Sequence, residues 1–224
     1  ATALSNAQKE EFSGVFDRVR KYRAASNREA TRKLSAVPMY FAERRHATAS
    51  KIFIPQVLSE RREYVTAGLL DSDALVIAPH MQIVDGHSYE FAIISSRIHH
   101  VWISTVCGKL KTDIRYSNLL GWNTFPIPLL TEQNKIDLTA CAEAILLARE
   151  AHFPATIADL YDPGSMPDNL RHAHERNDEV LERIYIGRRF KNDTERLEKL
   201  FDLYAKMTAG TLRVAPKKPR GKKA

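Results

Sequence analysis

Lys111, Asp113 and Arg115 are spaced two apart in the string GKLKTDIRYS (108–117). In an extended chain, successive side chains alternate, so positions i, i+2 and i+4 leave one face. A donor, an acceptor and a donor would then point the same way. That is the chemistry by which base edges are told apart in a DNA major groove: Lys or Arg donates to guanine, and Asp or Glu accepts from cytosine. The same spacing also suits a surface strand with an internal Lys–Asp pair worth about 0–1 kcal/mol. Spacing alone leaves both readings open.

Signatures of self-contained catalysis are missing. No glycine-rich phosphate loop and no G-x-S-x-G elbow occurs. His174-Glu175 begins like a zinc-protease helix, but Asp178 stands where a second His is required. His99 and His100 are adjacent, so on a helix they point about 100° apart and are poorly placed to share a metal. Asp162-Pro163-Gly164 lacks the second proline and the aromatic of a base-gripping methyltransferase loop. Cys107 and Cys141 sit in apolar or helix-like sequence and read as reduced, buried thiols of a cytoplasmic protein. No apolar stretch approaches the ~20 residues of a membrane helix, and the start has no secretory signal. The missing initiator Met hints at a piece of a longer protein.

The formal charge of +7 is unevenly placed. Residues 1–130 carry 17 basic and 12 acidic side chains, residues 131–210 carry 11 and 15, and residues 211–224 carry six basic and none acidic. A basic front is where a phosphate backbone would be met. Between Phe12 and Lys33 seven basic residues stand against two acidic ones. The Pro/Lys-rich tail reads as disordered, either a solubilising terminus or a non-specific DNA contact.

These residues need elements to position them. Phe12, Val15, Phe16, Val19 and Tyr22 predict one helix over about 8–24. Strand-like runs follow at 37–41, 51–55, 62–65 and 74–78, confined to edges or ends by Pro38, Pro55 and Pro79. Asp85-Gly86 predicts a turn, 89–106 one or two helices, and 109–118 a strand or extended loop closed by Pro126 and Pro128. Beyond Leu130 the pattern turns helical. A cap at Thr131 precedes a stripe of Ile136, Ala140, Ala144, Leu147 and Ala148. A second stripe runs through Leu170, Ala173, Asn177, Val180, Leu181 and Ile184. A cap at Asp193 or Thr194 precedes a third, Leu197 to Met207. The expected organisation is an α+β domain of short, mostly antiparallel strands with flanking helices over 1–130, a helical region over 131–210, and the tail.

The string at 108–117, followed by WNTFPIP (122–128), resembles the target-recognition domain of MmeI-like single-chain restriction–modification methyltransferases. Further segments match in order: VRKYR (19–23), IPQVLSERREY (54–64), the helix segment ending at Trp102, LYDP (160–163), Met166-Pro167, Ala173-His174 and 196–204. The resemblance covers about residues 12–206. It departs modestly, with Ile127, Trp122 and Leu58 where Trp, Tyr and Ser are common.

The resemblance implies a recognition domain plus C-terminal helical region, without the methylase domain of the same parent chain. The parent would transfer a methyl group from S-adenosylmethionine to adenine N6; this chain itself would hold no cofactor and catalyse nothing. The partner implied is double-stranded DNA. Positions matching Lys111 and Asp113 would select a base pair, Arg115 would share their surface, and His80, in the segment 78–80, is a further base-reading candidate. Arg20, Arg23, Arg32, Arg61 and Lys109 are the expected phosphate contacts. A stand-alone specificity subunit and a purely helical interaction domain are the rival readings.

Overall fold

A computed structural model describes residues 5–42 and 46–210 of the chain; the basic tail at 211–224 lies outside them. The chain divides into two compact units, Ala1–Ala47 and Thr48–Ala224. The first holds α1 (Asn6–Glu11), α2 (Ser13–Ala24), α3 (Glu29–Lys33) and a 3₁₀ turn at Leu34–Ala36. The single helix expected over 8–24 is therefore two, broken at Phe12 just before the weak helix formers Ser13 and Gly14. The strand expected at 37–41 is a turn, closed by Tyr40 N–H on the Val37 carbonyl. The Arg23 guanidinium gathers the carbonyls of Leu34, Val37 and Tyr40 at 3.1, 3.0 and 2.8 Å. A strand alternates its carbonyls across a ladder and cannot converge three of them on one cation.

The second unit opens with two small antiparallel sheets. β1 (Ser50–Ile54) lies between β3 (Gly68–Asp71) and β4 (Met81–Val84), and β6 (Asp113–Arg115) lies between β2 (Val57–Leu58) and β5 (Gly108–Leu110). Ile52 pairs with Leu69 and Ile83 and is fully buried. A Cβ on Gly86 would stand 2.7 and 2.9 Å from the Ile52 side chain, so only glycine fits the turn after β4. Asp85 before it is left-handed (φ 53°), and its carboxylate accepts from Thr48 and Ala49.

The expected strands at 62–65 and 74–78 are irregular. Tyr64 and Val65 dive into the core, and the other segment crosses over β1. There the buried Lys51 ammonium donates to the Ala74 carbonyl at 2.5 Å. A lysine without water must find a carbonyl, and the loop supplies it.

Helices complete the unit: α4 (Ser88–Ile94), α5 (Arg97–Val106), α6 (Glu132–Glu150), α7 (Ile157–Leu160), α8 (Asp168–Ile186) and α9 (Asp193–Thr208). Thr131 caps α6 with a reciprocal Asn134 box, as its sequence predicts; α9 is capped one residue early, by Asn192. Packing runs continuously across Leu130: α6 packs on α4 and on α8, and one core joins Ile52 to Leu200. The α6 stripe is rotated from its expected position. Ile136, Ala140, Ala144 and Leu147 are exposed, whereas Leu138, Cys141, Ala142, Ile145, Ala148 and Arg149 are buried. Arg149 belongs to the buried stripe: its guanidinium donates to Tyr161 Oη and the Ala67 carbonyl, both at 2.7 Å, beside the fully buried Leu138, Ala142 and Ile145.

α8 presents a buried polar face of His174, Asn177, Asp178 and Glu182. Three of these side chains grip the break between α4 and α5. Asn177 Nδ2 donates to the Ala92 carbonyl at 2.8 Å, His174 Nδ1 to the Ser95 carbonyl at 3.1 Å, and Arg97 N–H donates to Asp178 Oδ1 at 2.7 Å. Helix ends leave such groups unsatisfied, and α8 satisfies them. Among the described residues, no helix is long and apolar enough to cross a membrane.

Candidate nucleic-acid interface

α5 runs directly into the β5–β6 hairpin, so its orientation sets where the hairpin points. Gly108 pairs with Arg115, Lys109 with Ile114 and Leu110 with Asp113, leaving a two-residue turn at Lys111-Thr112. Ile114 and the following Tyr116 are buried. By alternation Asp113 and Arg115 leave the opposite, outward face, about 7 Å apart. Arg115 is exposed and Asp113 half-buried. The row beside Arg115 holds Val57 and Gly108, and a Cβ on Gly108 would meet nothing, which leaves open space around the guanidinium.

The three-residue reading face expected at 111, 113 and 115 is thus only partly formed. Lys111 is left-handed (φ 57°) and breaks the alternation, so it sits at the hairpin tip and not in the row of Asp113 and Arg115. Left-handed backbone costs a Cβ-bearing residue roughly 1 kcal/mol. The turn places a cation at the hairpin tip in spite of this cost, and strained positions of this kind concentrate at functional sites.

The hairpin base is held by residues to which sequence reasoning assigned no such role. Tyr116 N–H donates to the Gln56 carbonyl at 2.7 Å, and its buried hydroxyl lies 3.2 Å from His99 Nε2 on α5. The signal was available: if 113 and 115 face out, 114 and 116 must face the core. His100, one residue on, is held well below its ordinary pKa, at about 4, by burial and by the neighbouring Arg97.

The chain matches the family description "MmeI, target recognition domain" over residues 2–129 and "MmeI, C-terminal domain" over residues 130–212. The chain belongs to the MmeI family. It is 39% identical over 189 residues to "DNA methyltransferase A" of Bacillus subtilis (strain 168), a match covering 84% of this chain and 21% of that protein. It also superposes on a solved structure of the type IIL restriction-modification enzyme MmeI in complex with DNA. There the TM-score is 0.84 at 28% identity, over 92% of this chain and 28% of the other. The chain therefore spans between about a fifth and somewhat over a quarter of the length of these relatives.

In this MmeI-family chain the other expected site residues divide by what already holds them. Lys109, on β5, shares the parity of Ile114 and so belongs to the face opposite Asp113 and Arg115. Burial lowers the His100 pKa and raises that of Cys107; the Lys109 charge adds a little to the first shift and opposes the second. Arg61 is 72% exposed, and its nearest acid is Asp162 at 4.0 Å. His80 is exposed just before β4, its ring 5.0 Å from Phe53. It stands on the other sheet, yet Ile54 pairs with Met81 and Val57 with Arg115. Chain geometry therefore keeps the His80 and Arg115 backbones within about 26 Å. In the first unit, Arg20 pairs with Asp17 one helical turn away, and Arg32 donates to the Ser26 carbonyl at 2.9 Å; both remain exposed. Arg23, expected at a phosphate, is instead engaged by the three carbonyls that shape its own unit.

Proposed function

We propose that this chain reads DNA sequence for a restriction–modification methyltransferase of which it forms the recognition and C-terminal helical parts. One observation carries the reading: a two-stranded ribbon with a cation at its tip and an acid–base pair on its outward face, in a chain of the MmeI family. A B-DNA major groove, about 12 Å wide, admits such a ribbon. Asp113 accepts from a cytosine N4 group, and Lys111 and Arg115 donate to guanine. His80 reads further along the same site. Arg61, Arg20, Arg32 and Lys109 meet phosphates, which fix register without selecting sequence.

The remainder of the parent polypeptide carries the chemistry, and the target adenine is flipped out of the duplex for methylation at N6. S-adenosylmethionine supplies the methyl group and is held outside this chain, whose sequence has no glycine-rich nucleotide loop. Residues up to 130 read, and residues 131–210 brace the part of them that lies in the second unit, through α6 on α4 and α8 on α5. The test is to exchange the charges in the full-length parent, Lys111→Asp with Asp113→Lys, and sequence the methylated sites. A good base contact discriminates by about 1–3 kcal/mol, so the motif changes at one base pair. An unchanged motif removes these residues from the reading surface.

A further inference from the structure

Asp113 does not stand free on its strand. Its Oδ1 accepts the backbone N–H of Glu60 at 3.2 Å. The β2–β6 ladder pairs Val57 with Arg115 and Leu58 with Ile114, and would next bring Ser59 opposite Asp113. There the chain leaves the ladder in a turn over 59–62, closed by Arg62 N–H on the Ser59 carbonyl at 3.2 Å. The turn takes the Glu60 N–H out of backbone pairing and puts it on the carboxylate.

We propose that the Glu60 amide is the positioning group for Asp113, which makes the 59–62 turn part of the specificity apparatus although none of its side chains reads a base. The inference rests on Asp113 as a base acceptor, the reading given above. A carboxylate has two oxygens. With Oδ1 accepting from the amide, rotation of the carboxylate is restrained and Oδ2 keeps both its acceptor sites for a base. The amide is itself well anchored. Tyr64, four residues on, is buried with its hydroxyl donating to Asp178 at 3.1 Å. Glu63 pairs with Arg171 at 3.2 Å, and its carbonyl accepts from Arg97. Ordering a free side chain at an interface costs a factor of roughly 2 to 10 in affinity, and the restrained carboxylate avoids that loss.

Position 60 is the second residue of the turn, where proline is favoured. Glu60→Pro therefore deletes the donor while suiting the turn, and Glu60→Ala deletes only the side chain. In the full-length parent, the readout is the ratio of kcat/KM on a cognate duplex to that on duplexes changed at each base pair in turn. Asp113→Ala identifies the base pair that Asp113 reads. Expected is a 2- to 10-fold loss of discrimination at that pair alone in Glu60→Pro, with Glu60→Ala like wild type. If Asp113→Ala relaxes one pair and Glu60→Pro keeps full discrimination there, the positioning role is wrong while the reading of Asp113 stands. If Asp113→Ala changes no pair, both fall. Should proline lower the melting temperature, the α-hydroxy acid analogue of glutamate at position 60 makes the same deletion through an ester bond, and the same outcomes apply.

Discussion

Asp178 sits in the buried polar face of α8, and its ionisation should be visible in the stability of the chain. Burial, reinforced by the charge of Glu182, pushes its pKa up to about 7, although Arg97 N–H, the Tyr64 hydroxyl and Arg196 all favour the carboxylate. In the unfolded chain an aspartate titrates near 3.9. The folded state thus holds a proton that the unfolded state has lost, and the resulting stability is fully present below about pH 4 and gone once pH passes 7. About three pH units at about 1.4 kcal/mol each gives about 4 kcal/mol, of which roughly 3 falls between pH 5 and pH 8.

Asp178→Asn is the informative change. An amide keeps an oxygen for Arg97 N–H and never ionises, so the two proteins should match below about pH 4 and diverge by roughly a further 3 kcal/mol between pH 5 and pH 8. Its lead in melting temperature should widen by about 6–12 °C from pH 5 to pH 8, taking 2–4 °C per kcal/mol for a chain of this size. The difference between variant and wild type isolates Asp178 from His100 and His174. Burial holds those two at about 4 and about 3, so the folded state refuses protons that the unfolded state accepts below about pH 6.5. Their effect is a loss of stability in acid, common to both proteins. Thermal melts of the chain at half-unit steps from pH 5 to 8 decide the matter. Parallel curves would refute a buried, raised Asp178.

Two other expectations concern charge and strain. Arg196→Met should cost about 3–5 kcal/mol, because Glu182 is 1% exposed and its main partner, Arg196 Nε at 2.8 Å, would be gone; Arg171→Met, against half-exposed Glu63, should cost under about 1 kcal/mol. Chemical denaturation of both variants checks the contrast. Lys111→Gly relieves the left-handed backbone at the hairpin tip and should stabilise by roughly 1 kcal/mol. The same change should blur one position of the methylated motif in the parent, a trade that melting and site sequencing together would reveal.

Much of this was legible in the residues. The Thr131–Asn134 box, the Asp85-Gly86 turn and the helices within 89–106 follow from capping, turn and periodicity rules, and all are present. What was hidden has identifiable physical causes. The hairpin tip carries no Gly or Asn to announce it, so an alternation of three charged residues looked continuous through Lys111. α6 has two apolar stripes, and periodicity cannot choose between them when the buried one includes an arginine. The face of α8 that matters is His174, Asp178 and Glu182, four apart, which a search for apolar residues passes over. Whether a given arginine is available to a ligand also depends on distant carbonyls, as at Arg23.

The grip of α8 has a consequence for how such proteins can diverge. Four of its bonds to the preceding region go to main-chain groups: the carbonyls of Ala92, Ser95 and Pro126 and the N–H of Arg97. Main-chain groups are the same whatever residue bears them. At those four positions the latch is therefore blind to the side chain, although Tyr64 and Tyr161 are held by theirs. The hairpin and loops ahead of it can be rewritten residue by residue, or exchanged between relatives at 108–115, while His174, Asn177, Asp178 and Tyr185 go on holding the same frame.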